Sequence, residues 1–310
     1  MKAIVFPGQG SQIIGMAKDF YDNFNVAKKV FQEVNDTLQK DLKTIMFEGP
    51  EDLLTDTENA QPAIMTTSIA ILEVLKQETG LQIDGLCNYV AGHSLGEYTA
   101  LCASNSISLA DTTKLLKVRG KSFADAGKVA QGSMAAVIGA TIEQVEELVN
   151  KARLENEVLD IANDNITGQI VISGNVNSID NAIKVASDMK IKRAVKLQVS
   201  GAFHSPLMES AVKNMETVLE EVVINKPVVD VYANYTANIE EQSEIKDNLI
   251  KQITGRVRWR ETILNMKEKG VNEFIEVGSG KVLSNMIARM CPENKVVSVN
   301  SVESLKEFMK

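Results

Sequence analysis

The sequence predicts an α/β protein in which a large sheet domain is interrupted by a small inserted unit. Three observations lead there. The apolar segment 2–6 runs directly into a glycine-rich loop, and a second glycine-flanked turn, Gly92-His93-Ser94-Leu95-Gly96, joins an extended segment to a helical one. Residues 132–197 break into short elements in the order β-α-β-β-α-β. At 310 residues and 44% hydrophobic, the chain has enough apolar material for a full core, and its length suits two domains or one domain with an insertion.

Taken in order, the opening strand 2–6 enters Pro7-Gly8-Gln9-Gly10-Ser11-Gln12, where glycine frees backbone N–H groups to face a ligand. It is not a nucleotide loop. Gly10 and Gly15 have the phosphate-loop spacing, but Met16 and Ala17 stand where that loop needs Lys and Ser or Thr, and Ile13 occupies the last glycine position of the dinucleotide pattern. Helical periodicity covers 25–42 and 62–79. Asn88-Tyr89-Val90-Ala91 reads as a strand, 97–103 as the helix leaving the turn, and 109–126 as a further helix with Ser108 as its N-cap. In the insert, strands are predicted at 133–138, 158–162, 169–173 and 193–199, with helices at 142–152 and 179–189. That order is ferredoxin-like, a unit that closes on itself and so can interrupt a larger domain. Beyond it, 206–223 reads as helical and 228–233, 272–277 and 296–299 as extended. The expected division is therefore 1–130 with 199–310 as the large domain and 131–198 as the insert, with a ligand cleft between them.

The chain has only two histidines, and each lies beside a serine, in Gly92-His93-Ser94-Leu95-Gly96 and Phe203-His204-Ser205-Pro206. A G-x-S-x-G pattern alone is common, and a lone histidine is more often structural. The strand-turn-helix context marks this copy as a nucleophile elbow and gives the large domain an α/β-hydrolase-like character. Serine is a weak nucleophile at neutral pH and needs a base, which narrows the pair to Ser94 and His204. His93, adjacent to Ser94 on a sharp turn, should point away from the hydroxyl and support the elbow or touch substrate.

Composition excludes other classes. Lys and Arg total 33 against 41 Asp and Glu, a net charge of −8 that argues against nucleic acid as a partner. Lys190, Lys192, Arg193 and Lys196, and Arg256, Arg258 and Arg260, form two local basic segments, either ordinary solvated faces or the contact for an acidic partner. Three cysteines without C-x-x-C spacing indicate no zinc or other metal site and fit a reducing compartment. With no membrane-length apolar stretch and no signal-like N-terminus, a cytoplasmic protein without membrane contact is expected.

Phe6-Pro7-Gly8-Gln9-Gly10-Ser11-Gln12, Gly92-His93-Ser94-Leu95-Gly96-Glu97-Tyr98, Arg119-Gly120, Gln169-Ile170-Val171-Ile172-Ser173-Gly174, Phe203-His204-Ser205-Pro206-Leu207-Met208 and Glu276-Val277-Gly278 resemble, in order and spacing, the malonyl-CoA:acyl-carrier-protein transacylases of bacterial fatty acid synthesis. The resemblance spans nearly the whole chain. It implies a ping-pong acyltransferase in which Ser94 takes malonyl from coenzyme A, His204 is base and then acid, and the backbone N–H groups of Gln9 and Leu95 form the oxyanion hole. It assigns Arg119 to the malonyl carboxylate, a role that suits the planar paired donors of guanidinium. The main-chain carbonyl of Gln252 would orient the imidazole, and Asn163 and Asn165 would lie near the cleft with His93. No cofactor is implied: the coenzyme A thioester is a substrate, and phosphopantetheine arrives on the partner, holo acyl carrier protein. With the Gln252 carbonyl in place the resemblance implies a Ser-His dyad without an obligatory carboxylate; Asp160 and Asp164 precede His204 in the chain order of a hydrolase triad but fall in the insert. The sequence departs from its relatives at Asp164, Ile166-Thr167 and Ser279, which leaves the local loop shape open. Alternatives are a trans-acting acyltransferase of a polyketide synthase, a serine thioesterase or esterase, and a non-catalytic carrier-docking module.

Overall fold

A computed structural model describes residues 1–310. Its strands are β1 (Lys2–Phe6), β2 (Tyr89–Gly92), β3 (Gly132–Ile138), β4 (Leu159–Ile166), β5 (Gln169–Asn175), β6 (Arg193–Lys196), β7 (Asp230–Tyr232), β8 (Glu273–Val277) and β9 (Lys295–Val299). They form a five-stranded parallel sheet, β7-β2-β1-β8-β9, and a four-stranded antiparallel sheet, β4-β5-β3-β6. The protein is thus a mixed α/β structure.

The central strand β1 shows why the parallel sheet is covered on both faces. Ala3 and Val5 pack into one apolar cluster with Trp259, Tyr232 and Ile263, while Ile4 and Phe6 pack into another with the helices of the opposite layer. A near-continuous apolar run is what a strand buried on both faces requires. The register Phe6↔Gly92 brings the carboxyl ends of β1 and β2 side by side, so the Pro7 loop and the Ser94 turn open at one place. From β1 the sheet grows toward β2 on one side and β8 on the other, and ligands bind at such a switch of direction. The antiparallel sheet has its own core, in which Val137, Ile161 and Ile172 meet the helices Ile142–Ala152 and Val176–Asp188. The antiparallel sheet is tied to the segment just before Trp259 by main-chain bonds, Val257 N–H to Ala162 O at 2.8 Å and Asp164 N–H to Val257 O at 2.9 Å. No helix is long and apolar enough to cross a membrane.

Several boundaries differ from the sequence reading. The helix predicted over 25–42 stops at Leu38, because Gln39 turns left-handed at φ 50° and Asp41 caps a new helix, Leu42–Glu48. The next helix begins at Thr57 rather than 62, since the Asp56 carboxylate caps it; Pro62 lies inside, and the helix is buried along nearly its whole length. The helix predicted to end at 126 runs to Ala130. Strand β4 reaches Ile166 instead of 162, carrying the polar Asn163-Asp164-Asn165 into the sheet across two bulges. Strand β6 ends at Lys196, and the chain that follows leaves the sheet. The predicted 206–223 helix divides into a 3-10 turn, Pro206–Met208, and the helix Glu209–Glu220. Ile245–Thr254, Trp259–Glu268 and Val282–Met290 are helices for which the sequence reading had no element.

Candidate active site

Strand β2 ends at Gly92, Ser94 turns at φ 54° and ψ −110°, and the helix Leu95–Ala103 departs at once. Two glycines make the turn possible. A Cβ on Gly92 would lie 1.8 Å from the Gly96 carbonyl, and one on Gly96 would lie 2.4 Å from the Phe6 oxygen. A left-handed serine costs about 1–3 kcal/mol and persists only where its surroundings hold it, which they do here. The Asn234 side chain accepts from the Ser94 N–H at 2.7 Å and donates to the Gly92 carbonyl at 2.7 Å.

Ser94 Oγ lies 2.8 Å from His204 Nε2. On the far side of the ring, Nδ1 is 2.8 Å from the Gln252 main-chain oxygen. A carbonyl can only accept, so Nδ1 carries the proton and Nε2 is free to accept from the serine hydroxyl. Burial, joined by the charge of Arg119, pushes the His204 pKa down to about 3, so the imidazole is neutral at pH 7.

Arg119, from the helix Leu109–Ala130, is 1% exposed and lies over the Phe123 ring at 4.2 Å. Its NH2 donates to Ser94 Oγ at 3.0 Å and to Gln252 Oε1 at 2.9 Å, and its NH1 donates to Gln61 Oε1 at 2.9 Å. All three partners are neutral oxygens. A guanidinium buried without a directly paired carboxylate is a costly arrangement that an anionic ligand relieves. The N–H groups of Gln9, which lines the same cleft as Ser94, and of Leu95, the next residue after Ser94, have no acceptor within the chain, and the Leu95 N–H opens a helix N-terminus.

These groups face a cleft of about 400 Å³ lined by Pro7 through Gln12, Ser94, Arg119, Phe123 and His204, and on the antiparallel-sheet side by Met134, Asn163, Asn165 and Val171. Leu197, Gln198 and Val199, predicted as strand, form part of its wall. The His93 ring turns to Asn165, Nε2 to Oδ1 at 2.7 Å, and meets the Trp259 edge. Both acidic residues in triad order are engaged elsewhere. Asp160 pairs with Arg153 on the surface, and buried Asp164 takes a bidentate grip from Arg260 at 2.8–3.0 Å. Sequence reasoning missed Gln61, Asn234 and the part played by Glu97. Glu97 Oε2 accepts from the Asn234 N–H at 2.9 Å and from Gln252 Nε2 at 2.8 Å, and burial pushes its pKa up to about 7. The available signal was a Gln and a Glu inside otherwise apolar helical stretches.

A family model described as an acyl transferase domain matches residues 3–306. The chain belongs to the acyl transferase family. Among its relatives in that family, the malonyl CoA-acyl carrier protein transacylase of Bacillus subtilis (strain 168) is 40% identical over 305 residues, covering 98% of this chain and 95% of that protein. The same-named protein of Staphylococcus aureus (strain MRSA252) is 36% identical, covering 98% and 97%. In three dimensions, the acyl-carrier-protein-S-malonyltransferase of Bartonella henselae superposes with a TM-score of 0.96 at 45% identity, over 99% of this chain and 98% of its own. A malonyl-transacylase solved in complex with a type II PKS acyl-carrier protein superposes with a TM-score of 0.93 at 34% identity, over 98% and 97%.

Proposed function

We propose that this acyl transferase moves malonyl from malonyl-CoA to the phosphopantetheine thiol of acyl carrier protein, in fatty acid synthesis, through a malonyl ester on Ser94. Ser94 Oγ attacks the thioester carbonyl while His204 Nε2 takes its proton. The developing oxyanion faces the Gln9 and Leu95 N–H groups, whose fixed dipoles stabilise charge there without reorganisation. Collapse expels the coenzyme A sulfur, which receives the proton from His204. In the second half, the carrier thiol gives its proton to His204, its sulfur attacks the ester, and Ser94 recovers the proton. Every atom is accounted for without a cofactor or metal.

The observation that carries this reading is that Ser94 Oγ is shared by a base at 2.8 Å and, at 3.0 Å, by a buried guanidinium that makes no direct bond to a carboxylate. A serine hydrolase of neutral esters has no use for that cation. Asn163, Asn165 and His93 shape the cleft wall, and the Gln252 carbonyl holds the tautomer of His204. The β4-β5-β3-β6 order supports a ferredoxin-like insert at 131–198, and the strand-turn-helix at Ser94 supports an α/β-hydrolase-like domain of 1–130 and 199–310. Three buried free cysteines support a reducing, cytoplasmic setting. The polyketide reading keeps one specific support, the neighbour solved with a type II PKS carrier; the chemistry is unchanged and only the carrier differs.

Intact mass after mixing with malonyl-CoA tests the scheme. One malonyl mass is expected on the wild-type protein, none on Ser94→Ala, and formation slowed by about 10²–10⁴-fold in His204→Ala. The adduct should persist in water and vanish on addition of holo carrier protein. Undiminished labelling of Ser94→Ala sinks the assignment, and rapid loss of the adduct without thiol makes the protein a hydrolase.

A further inference from the structure

We propose that Asn234 is a positioning residue that clamps the strained turn carrying Ser94. It follows β7, whose register pairs Ala91 with Tyr232 and so sets the next residues beside the turn. Its side chain is fully buried and makes two bonds, both to the turn: Oδ1 accepts from the Ser94 N–H at 2.7 Å and Nδ2 donates to the Gly92 oxygen at 2.7 Å. The amide orientation is forced, because Ser94 N–H can only donate and the Gly92 carbonyl can only accept. The clamp is itself seated, since the Asn234 N–H donates to Glu97 Oε2 at 2.9 Å and its carbonyl accepts from the Arg258 N–H at 3.0 Å. Asn234 thus bridges the residues on either side of His93 and holds Ser94 at φ 54°, the conformation that puts Oγ 2.8 Å from His204 Nε2. Position, not chemistry, is what it supplies.

This inference rests on Ser94 being the nucleophile, so two probes are used: malonyl-CoA, and a small serine-directed sulfonyl fluoride that needs no recognition of an acyl-CoA. Asn234→Ala removes both bonds, and both labelling rates should fall about 10–100-fold, as for a nucleophile misplaced by a fraction of an ångström to an ångström. The KM for malonyl-CoA and the malonyl-to-acetyl ratio should stay at wild-type values, since the clamp touches neither substrate nor Arg119. Asn234→Asp is the discriminating variant. Protonated, its carboxyl accepts from Ser94 and donates to Gly92 as the amide does; ionised, it sets an oxygen against the Gly92 oxygen beside the Glu97 carboxylate. Its rate relative to wild type should therefore recover as pH falls, a behaviour that a scaffold role would not produce. Glu97, Glu240 and His204 titrate in both proteins, and because Glu97 would couple to a new carboxyl at 234, the ratio is also taken in a Glu97→Gln background, where the recovery at low pH should remain. Wild-type labelling rates in Asn234→Ala, or an Asn234→Asp ratio that is flat with pH, overturn the clamp. Should Asn234→Ala fail to fold by circular dichroism, the Asn234→Asp series decides alone. A wild-type protein labelled by the sulfonyl fluoride but not by malonyl-CoA would refute the malonyl reading and leave the clamp intact.

Discussion

Arg119 and His204 sit within one hydrogen bond of the same oxygen and lend it opposite properties. A malonyl carboxylate entering the cleft leaves water, which costs several kcal/mol, and a guanidinium returns about 1.5–3 kcal/mol per charged hydrogen bond. On the proposed reading, acetyl gains nothing there and leaves the cation desolvated, so the site would select by rejecting the wrong acyl group as well as by holding the right one. Arg119→Ala should cut malonyl transfer severely while acetyl transfer falls little or rises, and Arg119→Lys should restore only part of the preference. The measurement is kcat/KM for both thioesters; an unchanged ratio returns Arg119 to a packing role. The same cation helps depress the His204 pKa to about 3, so the free base form persists well below the ordinary imidazole range. The acid limb of kcat/KM for malonyl-CoA should accordingly lie below pH 6.5, the imidazole model value. A limb at that value would show that His204 titrates as if in water.

At the scale of elements, the site is a junction of two parallel strands and the helix that leaves the second. The Phe6↔Gly92 register fixes the distance between the loop bearing Gln9 and the turn bearing Leu95, and only a glycine at 96 lets them approach. Gly96→Ala would set a Cβ 2.4 Å from the Phe6 oxygen and 3.0 Å from that of Pro7. Such overpacking costs about 1–3 kcal/mol, and the strain would separate the N–H groups of Gln9 and Leu95, the proposed oxyanion donors. Acyl-enzyme formation should slow at least about tenfold even in the folded fraction, since one lost oxyanion donor alone costs about 10²–10³. Intact-mass kinetics beside a thermal melt separate the two effects, and an unimpaired rate would mean that the donors lie elsewhere.

Over the whole molecule, a net charge of −8 is at odds with an acidic carrier as partner unless cations are placed locally. The structure divides the two basic segments. Lys196, Arg256, Arg258 and Arg260 are paired with Asp180, Glu146, Glu261 and Asp164, whereas exposed Lys190, Lys192 and Arg193 have no acidic partner. They lie on and before β6, the edge strand that leads into the cleft wall at Leu197–Val199. Reversing these three charges should raise the KM for holo carrier protein and weaken its salt dependence, with malonyl loading unchanged. Unaffected transfer would move the docking face elsewhere. Stability should also respond to the buried carboxylate. With its pKa raised from 4.5 to about 7, Glu97 binds more protons folded than unfolded across that window, so its contribution is present at low pH and lost as pH rises through about 7. His204, lowered from 6.5 to about 3, acts in the opposite sense: its contribution is complete above 6.5 and lost as pH falls toward 3. Glu97→Gln should therefore gain stability relative to wild type between about pH 5 and pH 8, measured as urea midpoints. A constant difference across that range would show that Glu97 titrates normally.

The elements that position the nucleophile were legible because their signals are local. A glycine on each side of Ser94 is a steric demand of the turn itself, the β1 run is apolar because both faces are covered, and the β-α-β-β-α-β order follows from alternating periodicities within 132–197. Scarcity of imidazole reduced the choice of base to His204. The sequence by itself thus determined a mixed α/β fold and singled out Ser94 and His204, which the structure brings within hydrogen-bond distance, while the resemblance pointed to Gln9, Leu95, Arg119 and Gln252. Tertiary structure alone decided how the buried polar residues are used. Asn163-Asp164-Asn165 ended the predicted strand because polar residues read as surface; in the fold, Asp164 is buried and held by Arg260, and β4 continues. Gln61, Glu97 and Asn234 carry no pattern that marks them, for a buried amide or carboxylate is recognisable only once its partners, tens to more than a hundred residues away in sequence, stand within hydrogen-bond distance.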